Sequence, residues 1–181
     1  MGLKNLSPGR DVPNDIHVVI EIGAQSKPIK YEVDKKTGML MVDRFVSTSM
    51  HYPCDYGFIP HTLSEDGDPV DVLVIAPFSL TPGVIIRCRP IGMLRMTDES
   101  GVDIKILAVP IDKLTPRYKD VHNPEEIGKD LLATIEHFFQ HYKDLEPGKW
   151  VKTNGWENAE AAKKEIMVSV SRYHQEKVKE V

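Results

Sequence analysis

The stretch Asp66-Gly67-Asp68-Pro69-Val70-Asp71 runs directly into the apolar segment Val72-Leu73-Val74-Ile75-Ala76. Three carboxylates in six residues is the density of a metal site, and their hard oxygens suit Mg²⁺, Ca²⁺ or Mn²⁺ better than a metal that prefers thiolates. Alternate residues of a strand point to opposite faces, so a regular strand cannot bring Asp71 together with Asp66 and Asp68. Gly67 and Pro69 interrupt regular structure, which predicts a loop that carries Asp66 and Asp68 and a strand that begins at Asp71. A solvated acidic turn is the alternative interpretation of this segment taken alone.

Length and composition predict a single globular domain over residues 1–181. The chain has 41% hydrophobic and 28% charged residues, which is enough apolar material for a sizeable core. Its formal net charge of −4 argues against the basic surface by which proteins bind nucleic acids. No segment has the apolar length of a signal peptide or a membrane span, so we expect a cytoplasmic protein that binds neither nucleic acid nor membrane. Cys54 and Cys88 have no disulfide framework or zinc spacing and are expected to be reduced thiols.

Short segments with alternating apolar residues predict a β-rich core. The clearest is the segment 17–22, in which Val18, Ile20 and Ile22 share one face and Glu21 lies on the other. In two other segments, opposite charges two residues apart share a face: Lys30 with Glu32, and Asp103 with Lys105. We predict strands over residues 17–22, 30–33, 39–45, 72–76, 84–89 and 102–106, a turn over 97–101, and a surface arm over 1–14.

Two amphipathic helices are predicted after the strands. Asn123-Pro124-Glu125-Glu126 combines a cap residue, a proline suited to the first turn and a glutamate three residues on, so a helix is expected to begin there and to reach Tyr142. A loop that holds Trp150 is expected between Gly148 and Gly155, followed by a second helix over residues 158–173. Many strands followed by helices suggest a small β-barrel with helices packed against it.

Charged residues recur at short spacing in several segments, and this repetition favours a shared site over scattered, solvated charges. The acids are Glu21, Glu32, Asp66, Asp68, Asp71, Asp98 and Asp103, and the bases are Lys30, Arg44, Lys105 and Lys143. If the segments converge, seven carboxylates meet four bases and leave three negative charges in excess. Bound divalent cations would balance that excess and leave the bases available for an anion. Metal ions, bases and tyrosine hydroxyls around one cavity are typical of phosphoryl chemistry.

The chain resembles the soluble family I inorganic pyrophosphatases, whose signature Asp-Gly-Asp-Pro-aliphatic-Asp appears here over residues 66–71. The resemblance covers residues 15–175 and extends, in the family's order, through Glu21, Lys30, Glu32, Arg44, Tyr56, Asp98, Asp103, Lys105, Tyr142 and Lys143. It implies an α+β fold, a small five-stranded OB-fold-like β-barrel with flanking helices. It also implies Mg²⁺-dependent hydrolysis of pyrophosphate to two orthophosphates. Bacterial members of this length usually form hexamers, so a homohexamer is the expected assembly.

The resemblance assigns metal-binding roles to five carboxylates. Asp66, Asp71 and Asp103 would form the tightest metal site, and Asp71 would be shared with a second ion. Asp98 would join Asp103 in holding an ion that arrives with substrate, and Glu32 would help to place another. Several Mg²⁺ ions per site are therefore expected, with Mn²⁺ or Zn²⁺ as substitutes. Ca²⁺ is larger and takes looser coordination, so we expect it to inhibit.

The resemblance also implies how the reaction would proceed. Asp68 would act as the general base for a water that bridges two metal ions, and that water would attack phosphorus without a covalent intermediate. The phosphates would be held by Lys30, Arg44, Tyr56, Lys105, Tyr142 and Lys143, of which Lys30, Arg44 and Tyr56 would also act in catalysis. Glu21 would belong to the outer shell of the site. Tyr52 is expected to be a packed aromatic residue.

Two other functions compete with this interpretation. One is a metal-dependent hydrolase for nucleotides or other phosphoesters, although the sequence has no glycine-rich phosphate loop. The other is a non-enzymatic module, because small barrels often bind oligonucleotides. An acidic mouth would repel a phosphate backbone, which argues against the module.

His137 and His141 are four residues apart and share one face of the first predicted helix. Phe138 stands where a zincin helix requires glutamate, so a catalytic zinc site is not expected. On sequence alone the pair fits solvated surface residues. The hexamer that the resemblance implies instead suggests that both histidines lie near a subunit interface, where a symmetric contact brings each close to its own copy.

Overall fold

The computed structural model describes residues 5–179, which form nine strands and two α-helices. The strands are β1 (Gly9–Asp11), β2 (Asp15–Ile22), β3 (Ile29–Val33), β4 (Leu40–Phe45), β5 (Asp55–Phe58), β6 (Asp71–Val74), β7 (Ile85–Asp98), β8 (Gly101–Pro110) and β9 (Val151–Asn158). The helices are α1 (Lys129–His141) and α2 (Ala159–Lys179). No helix within residues 5–179 is both long and apolar enough to cross a membrane.

Seven strands form the main sheet, in the order β1-β2-β5-β6-β8-β7-β9. An additional pairing joins β2 to β7, so each of the five strands β2, β5, β6, β8 and β7 pairs with two others of this set. The pairings are antiparallel except that of β6 with β8, which is parallel and places Asp71 beside Lys105. The fold is therefore mostly β-sheet with two helices.

The remaining two strands, β3 and β4, form a separate antiparallel hairpin. Its register pairs Lys30 with Arg44 and Glu32 with Met41. The hairpin is joined to the main sheet at its β3 side, where the buried Glu21 carboxylate of β2 accepts a hydrogen bond of 2.7 Å from the Val33 amide. Two predicted phosphate-binding bases are thus carried by an element outside the main sheet.

The apolar residues pack on both faces of the sheet, as a period of two requires. On β6, Leu73 packs in one cluster with Ile135 and Phe138 of α1, whereas Val72 packs in the other with Ile166 of α2. Each helix therefore packs in a different cluster.

The predicted strands over 17–22, 30–33 and 39–45 are confirmed, and those over 72–76 and 102–106 are confirmed with shifted ends. Residues 84–89 are not a separate strand, because β7 continues through Pro90 to Asp98 and the turn contracts to Glu99–Ser100. The loop predicted around Trp150 is wrong from Val151 onward, where β9 pairs with β7. Of the predicted arm, residues 1–4 lie outside the described residues and Gly9–Asp11 pair with β2.

The first helix is predicted to run from Asn123, but the structure divides it. Pro124–Ile127 form a 3₁₀ turn whose capping box joins Asn123 and Glu126, and α1 begins at Lys129. Gly128 between them has φ of 101°, which an α-helix does not allow. The capping sequence at Asn123 therefore does begin a helical turn, but the α-helix starts at Lys129, later than predicted.

Candidate active site

Lys105 lies at the centre of the predicted site and is only 6% exposed. Its ammonium nitrogen is 2.5 Å from Asp71 Oδ2 and 2.9 Å from Asp103 Oδ1, and it donates a hydrogen bond of 3.2 Å to the Tyr56 hydroxyl. The parallel register of β6 and β8 places Asp71 beside Lys105, and Asp103 is two residues away on the same face of β8. Burial opposes its charge, but Asp71, Tyr56 and Asp103 raise the pKa of Lys105 above its ordinary value.

Asp66 and Asp68 lie on the loop between β5 and β6, as predicted. The amide of Asp68 donates a hydrogen bond of 3.0 Å to Asp66 Oδ1, and Gly67 between them has φ of 90°, a conformation that glycine adopts without strain. Asp66 is exposed, although partial burial raises its pKa and the nearby Asp68 and Asp103 carboxylates raise it further. Asp68 is exposed as well, and its carboxylate forms an ion pair with Lys35.

Glu21 is buried at the base of the site. Burial raises its pKa to about 8, and the neighbouring Asp71 and Glu32 carboxylates raise it in the same direction. Its side chain accepts the Val33 amide, so it also fixes the hairpin relative to β2. Glu21 is thus a buried neighbour of Asp71, and its outer-shell role stays a prediction.

The hairpin contributes Lys30, Glu32 and Arg44, and the structure adds Asp43 to them. Lys30 forms ion pairs with Glu32 and with Asp43, the latter at 3.4 Å. Arg44 Nε donates to Asp43 Oδ2 at 2.8 Å, and its Nη1 donates to Glu146 at 3.1 Å. The ionised form of Asp43 is favoured, because its contacts with Arg44 and Lys30 outweigh burial and lower its pKa.

A second group of charges lies where β7 turns into β8. Lys143 Nζ is 3.1 Å from Asp98 Oδ2 and 3.7 Å from Glu99 Oε1. Lys149 pairs with Glu99 at 2.6 Å. Burial opposes the charge of Glu99, but hydrogen bonds from Lys149 and the main chain lower its pKa to about 2. Among the described residues, no contact within salt-bridge distance joins this group to Lys105.

Aromatic residues pack beside both groups, because Lys105 lies 5.5 Å from the Tyr56 ring centroid and Lys143 lies 5.6 Å from that of Tyr142. Tyr52 and Tyr56 are buried with ring centroids 5.2 Å apart, and Tyr52 also contacts Phe138 at 4.6 Å, which confirms the packed aromatic residue predicted for Tyr52. Tyr142 stacks on Phe138 at the end of α1. Burial raises the pKa of Tyr142, as do Asp103 and Asp71, against the effects of Lys105 and Arg44. Tyr142 thus lies within electrostatic reach of both the Lys105 cluster and the hairpin.

The carboxylates fit a hard divalent cation by their chemistry. Burial raises the pKa of Asp66, Asp71 and Glu21, and neighbouring carboxylates add to the shift, so a cation among them would remove an electrostatic cost. Within residues 5–179, no three His, Cys, Asp or Glu side chains are grouped closely enough to hold a metal ion. Lysines pair with the carboxylates instead: Lys105 with Asp71 and Asp103, Lys35 with Asp68, and Lys143 with Asp98.

Sequence reasoning missed several charged neighbours of the site, namely Lys35, Asp43, Glu99, Glu146 and Lys149. Asp43 precedes a predicted base and Glu99 follows a predicted acid, so their position beside those residues was an available signal. Lys35, Glu146 and Lys149 lie in turns or loops, where a charge alone predicts only solvation.

His137 and His141 lie side by side on the exposed face of α1, with ring centroids 4.5 Å apart. His141 Nδ1 is 2.8 Å from Asp144 Oδ2, within the same chain. The shared helix face is confirmed, and the subunit interface stays a prediction.

Comparisons with known proteins agree on one family. The family model described as inorganic pyrophosphatase matches residues 18–174. An inorganic pyrophosphatase of Escherichia coli is 60% identical over 172 residues, which cover 95% of this chain and 98% of that protein. A solved structure titled as an inorganic pyrophosphatase from Coxiella burnetii has a TM-score of 0.90 at 50% identity, covering 93% and 99% of the two chains. One titled as an inorganic phosphatase from Anaplasma phagocytophilum has a TM-score of 0.92 at 45% identity, covering 94% and 99%.

Proposed function

The chain belongs to the inorganic pyrophosphatase family and is an enzyme that hydrolyses pyrophosphate, and from that premise we propose a Mg²⁺-dependent reaction at the site around Lys105. The observation that supports it best is the convergence of Asp71, Asp103 and Tyr56 on the buried Lys105 ammonium. Two carboxylates that could bind a metal ion and a base that could bind a phosphate are then in direct contact.

Asp66, Asp71 and Asp103 would hold the tightest Mg²⁺, with Asp98 and Glu32 as ligands of further ions. When bound, Mg²⁺ lowers the pKa of its water so that hydroxide is available near neutral pH. Without a metal ion, Lys105 neutralises Asp71 and Asp103, and Lys143 neutralises Asp98. Exchange of these partners would free both ammonium groups for the substrate. Mn²⁺ or Zn²⁺ would substitute for Mg²⁺.

Asp68 is the proposed general base. Its carboxylate lies at the exposed tip of the loop, where the Lys35 ion pair is its direct salt-bridge contact among the described residues. A surface ion pair of this kind is weak, so Asp68 can exchange it for a proton from water. Glu21, buried behind Asp71, would hold the hairpin and the metal ligands in register.

The phosphates of the substrate would be bound by Lys30, Arg44, Tyr56, Lys105, Tyr142 and Lys143. These groups approach from three elements of the fold: the hairpin, the main sheet and the end of α1. Hydrogen-bond donors on opposite sides of a phosphoanhydride stabilise the charge that builds up on the departing phosphate.

The reaction would need no covalent intermediate. Burial raises the pKa of both Cys54 and Cys88, so neither thiol is available as a thiolate. A water nucleophile with Asp68 as its base would account for hydrolysis instead.

Three broader features complete the proposal. The five mutually paired strands would form an OB-fold-like barrel, supported by the additional pairing of β2 with β7. Residues 1–181 would act as one domain, located in the cytoplasm and without nucleic-acid or membrane partners. The chain would assemble as a homohexamer with His137 and His141 near a subunit interface.

Phosphate release from pyrophosphate, ATP and a simple phosphomonoester tests the proposal. We expect release from pyrophosphate in Mg²⁺, little from the other two substrates, none in chelator, and inhibition when Ca²⁺ is added. Equal activity in chelator would refute metal dependence. Equal rates with ATP or the monoester would refute the substrate assignment.

A further inference from the structure

The loop that carries Asp66 and Asp68 is fixed where it leaves the main sheet. The Thr62 side chain, which is buried, donates a hydrogen bond of 2.6 Å to the Ile59 carbonyl and accepts one of 2.9 Å from the Val70 amide. The amide of Ile59 also donates to the Val70 carbonyl at 3.0 Å. These bonds hold the two ends of the loop together and leave its tip to be positioned by other contacts.

A distant helix supplies those contacts. The Leu63 amide donates a hydrogen bond of 3.0 Å to the Ser169 carbonyl of α2, and the Leu63 carbonyl accepts one of 2.7 Å from Arg172 Nη1. Both main-chain polar groups of Leu63 are therefore bound by α2, from residues more than 100 positions later in the chain.

Two more contacts flank Leu63. The His61 ring stacks on Tyr173 with centroids 5.1 Å apart and an interplanar angle of 10°. Arg172 Nη2 also lies 3.9 Å from the Glu65 carboxylate. Alternate loop residues thus contact one stretch of α2, and Arg172 takes part in two of the contacts.

The tip beyond Leu63 is bonded mainly to itself. The Ser64 amide donates a hydrogen bond of 2.7 Å to the Asp68 carbonyl, and the Gly67 amide donates one of 3.2 Å to the Ser64 carbonyl. The Asp66 carboxylate accepts a hydrogen bond from the Asp68 amide. The tip therefore forms one hydrogen-bonded unit, which is held by α2 at Leu63 and by the ion pair of Lys35 with Asp68 at its exposed end. Asp71, in contrast, is held by strand pairing on both sides of β6.

We propose that Arg172 is a positioning residue, which holds Asp66 and Asp68 at the correct distance from Asp71 by fixing the Leu63 carbonyl. The inference rests on the proposed function, because it takes Asp66 and Asp71 as ligands of one metal ion. Arg172 lies on α2, outside the group of residues that would touch the metal or the phosphates. Its guanidinium acts through the loop backbone.

The test compares Arg172→Ala, Arg172→Lys and Lys164→Ala in the full-length protein. Lys164 is exposed on the same helix, so its variant removes one positive charge without touching the loop. Mn²⁺ is titrated into each metal-free protein, and amide hydrogen exchange is followed without metal. Loss of a group that is hydrogen-bonded to a metal ligand typically weakens metal binding by about 10–100-fold. Arg172 acts one step further away, through the loop backbone, so for Arg172→Ala we expect the lower end of that range, an increase of roughly tenfold in the Mn²⁺ dissociation constant.

Hydrogen exchange distinguishes positioning from general destabilisation. We expect faster exchange at the amides of residues 63–68 in Arg172→Ala, with unchanged protection in β6 and β8. Arg172→Lys keeps a donor for the Leu63 carbonyl and should recover part of both effects. An unchanged dissociation constant in Arg172→Ala, the same weakening in Lys164→Ala, or equal loss of protection in β6 would overturn the proposal.

The two proposals fail in different ways. If the wild-type protein binds Mn²⁺ but does not release phosphate from pyrophosphate, the proposed reaction fails while the exchange and binding results still decide the role of Arg172. If the protein is active and Arg172→Ala matches wild type in both measurements, only the role of Arg172 is lost.

Discussion

Replacing Lys105 with methionine tests the electrostatic design of the site. Methionine keeps most of the side-chain volume and removes the ammonium that lies between Asp71 and Asp103. Lys105 is buried, and burial already raises the pKa of Asp71. The variant therefore leaves two neighbouring carboxylates without their shared cation.

Removing one partner of a buried ion pair typically costs about 3–5 kcal/mol, because the remaining charge is buried without compensation. For a domain of 150–250 residues, 1 kcal/mol shifts the melting temperature by about 2–4 °C, so a decrease of roughly 6–20 °C is expected at pH 7 in chelator. Part of this loss should return in Mg²⁺, since a metal ion bound by the carboxylates stabilises the folded state.

Thermal unfolding in chelator at several pH values measures the effect. Without Lys105 the folded-state pKa of Asp71 rises further above its unfolded value. Its ionised form then costs stability at neutral pH, and the deficit of the variant should shrink as the pH falls toward about 4. Lys149→Met is the matched control, because Lys149 is a more exposed lysine paired with Glu99 and should cost less than about 1 kcal/mol.

Two results would refute this reasoning. One is a Lys105→Met variant that melts within 2–3 °C of Lys149→Met in chelator, which is about the effect of 1 kcal/mol. The other is a deficit that grows rather than shrinks on acidification, since that would place the lost stability in a group other than the two carboxylates.

Three further predictions concern individual residues. Asp68→Asn should lower the turnover number by about 10²–10⁴-fold with Mn²⁺ affinity retained, whereas Asp71→Asn should weaken Mn²⁺ binding itself. Phosphate release and Mn²⁺ titration compare the two variants. If both lost Mn²⁺ affinity equally, Asp68 would be a metal ligand. Asp55→Ala should cost about 2–4 kcal/mol in urea unfolding, because Asp55 Oδ1 accepts the amides of Ala24 and Leu80 at 2.8 and 2.9 Å. Asp55→Asn keeps that acceptor and should stay within 1 kcal/mol of wild type, and equal losses in both variants would contradict the explanation. Protonation of His137 and His141 in mild acid should loosen the proposed hexamer, because protonated imidazoles can only donate hydrogen bonds and repel one another. Sedimentation velocity of wild type and of the double variant His137→Gln/His141→Gln tests this. A wild-type hexamer that persists in mild acid would contradict the prediction.

Sequence alone predicted those elements whose pattern is local. Val18, Ile20 and Ile22 recur at the period of a strand, and both helices have an apolar stripe, so these three elements were placed near their observed positions. β9 was missed because Val151–Asn158 contains asparagine and glycine and only one aromatic residue, which is typical of a loop. Its strand conformation depends on pairing with β7.

The candidate site could likewise be predicted only where its pattern is local. The density of carboxylates at 66–71 and the shared face of Asp103 and Lys105 are visible in the sequence. The pairing of Asp71 with Lys105 is set by the parallel register of β6 and β8, which no local pattern encodes. The contact of Arg172 with Leu63 joins residues 109 positions apart, so local sequence patterns could not predict it either.

Equilibrium dialysis with Mn²⁺ tests the central claim, that the carboxylates around Lys105 form a divalent-metal site that receives pyrophosphate. The metal-free protein is dialysed against Mn²⁺ with and without imidodiphosphate, a pyrophosphate analogue with a nitrogen bridge. We predict that each chain retains at least one Mn²⁺ alone, through Asp66, Asp71 and Asp103, and more when the analogue is present. Retention of no Mn²⁺ under either condition, or the same number with and without the analogue, would contradict the account.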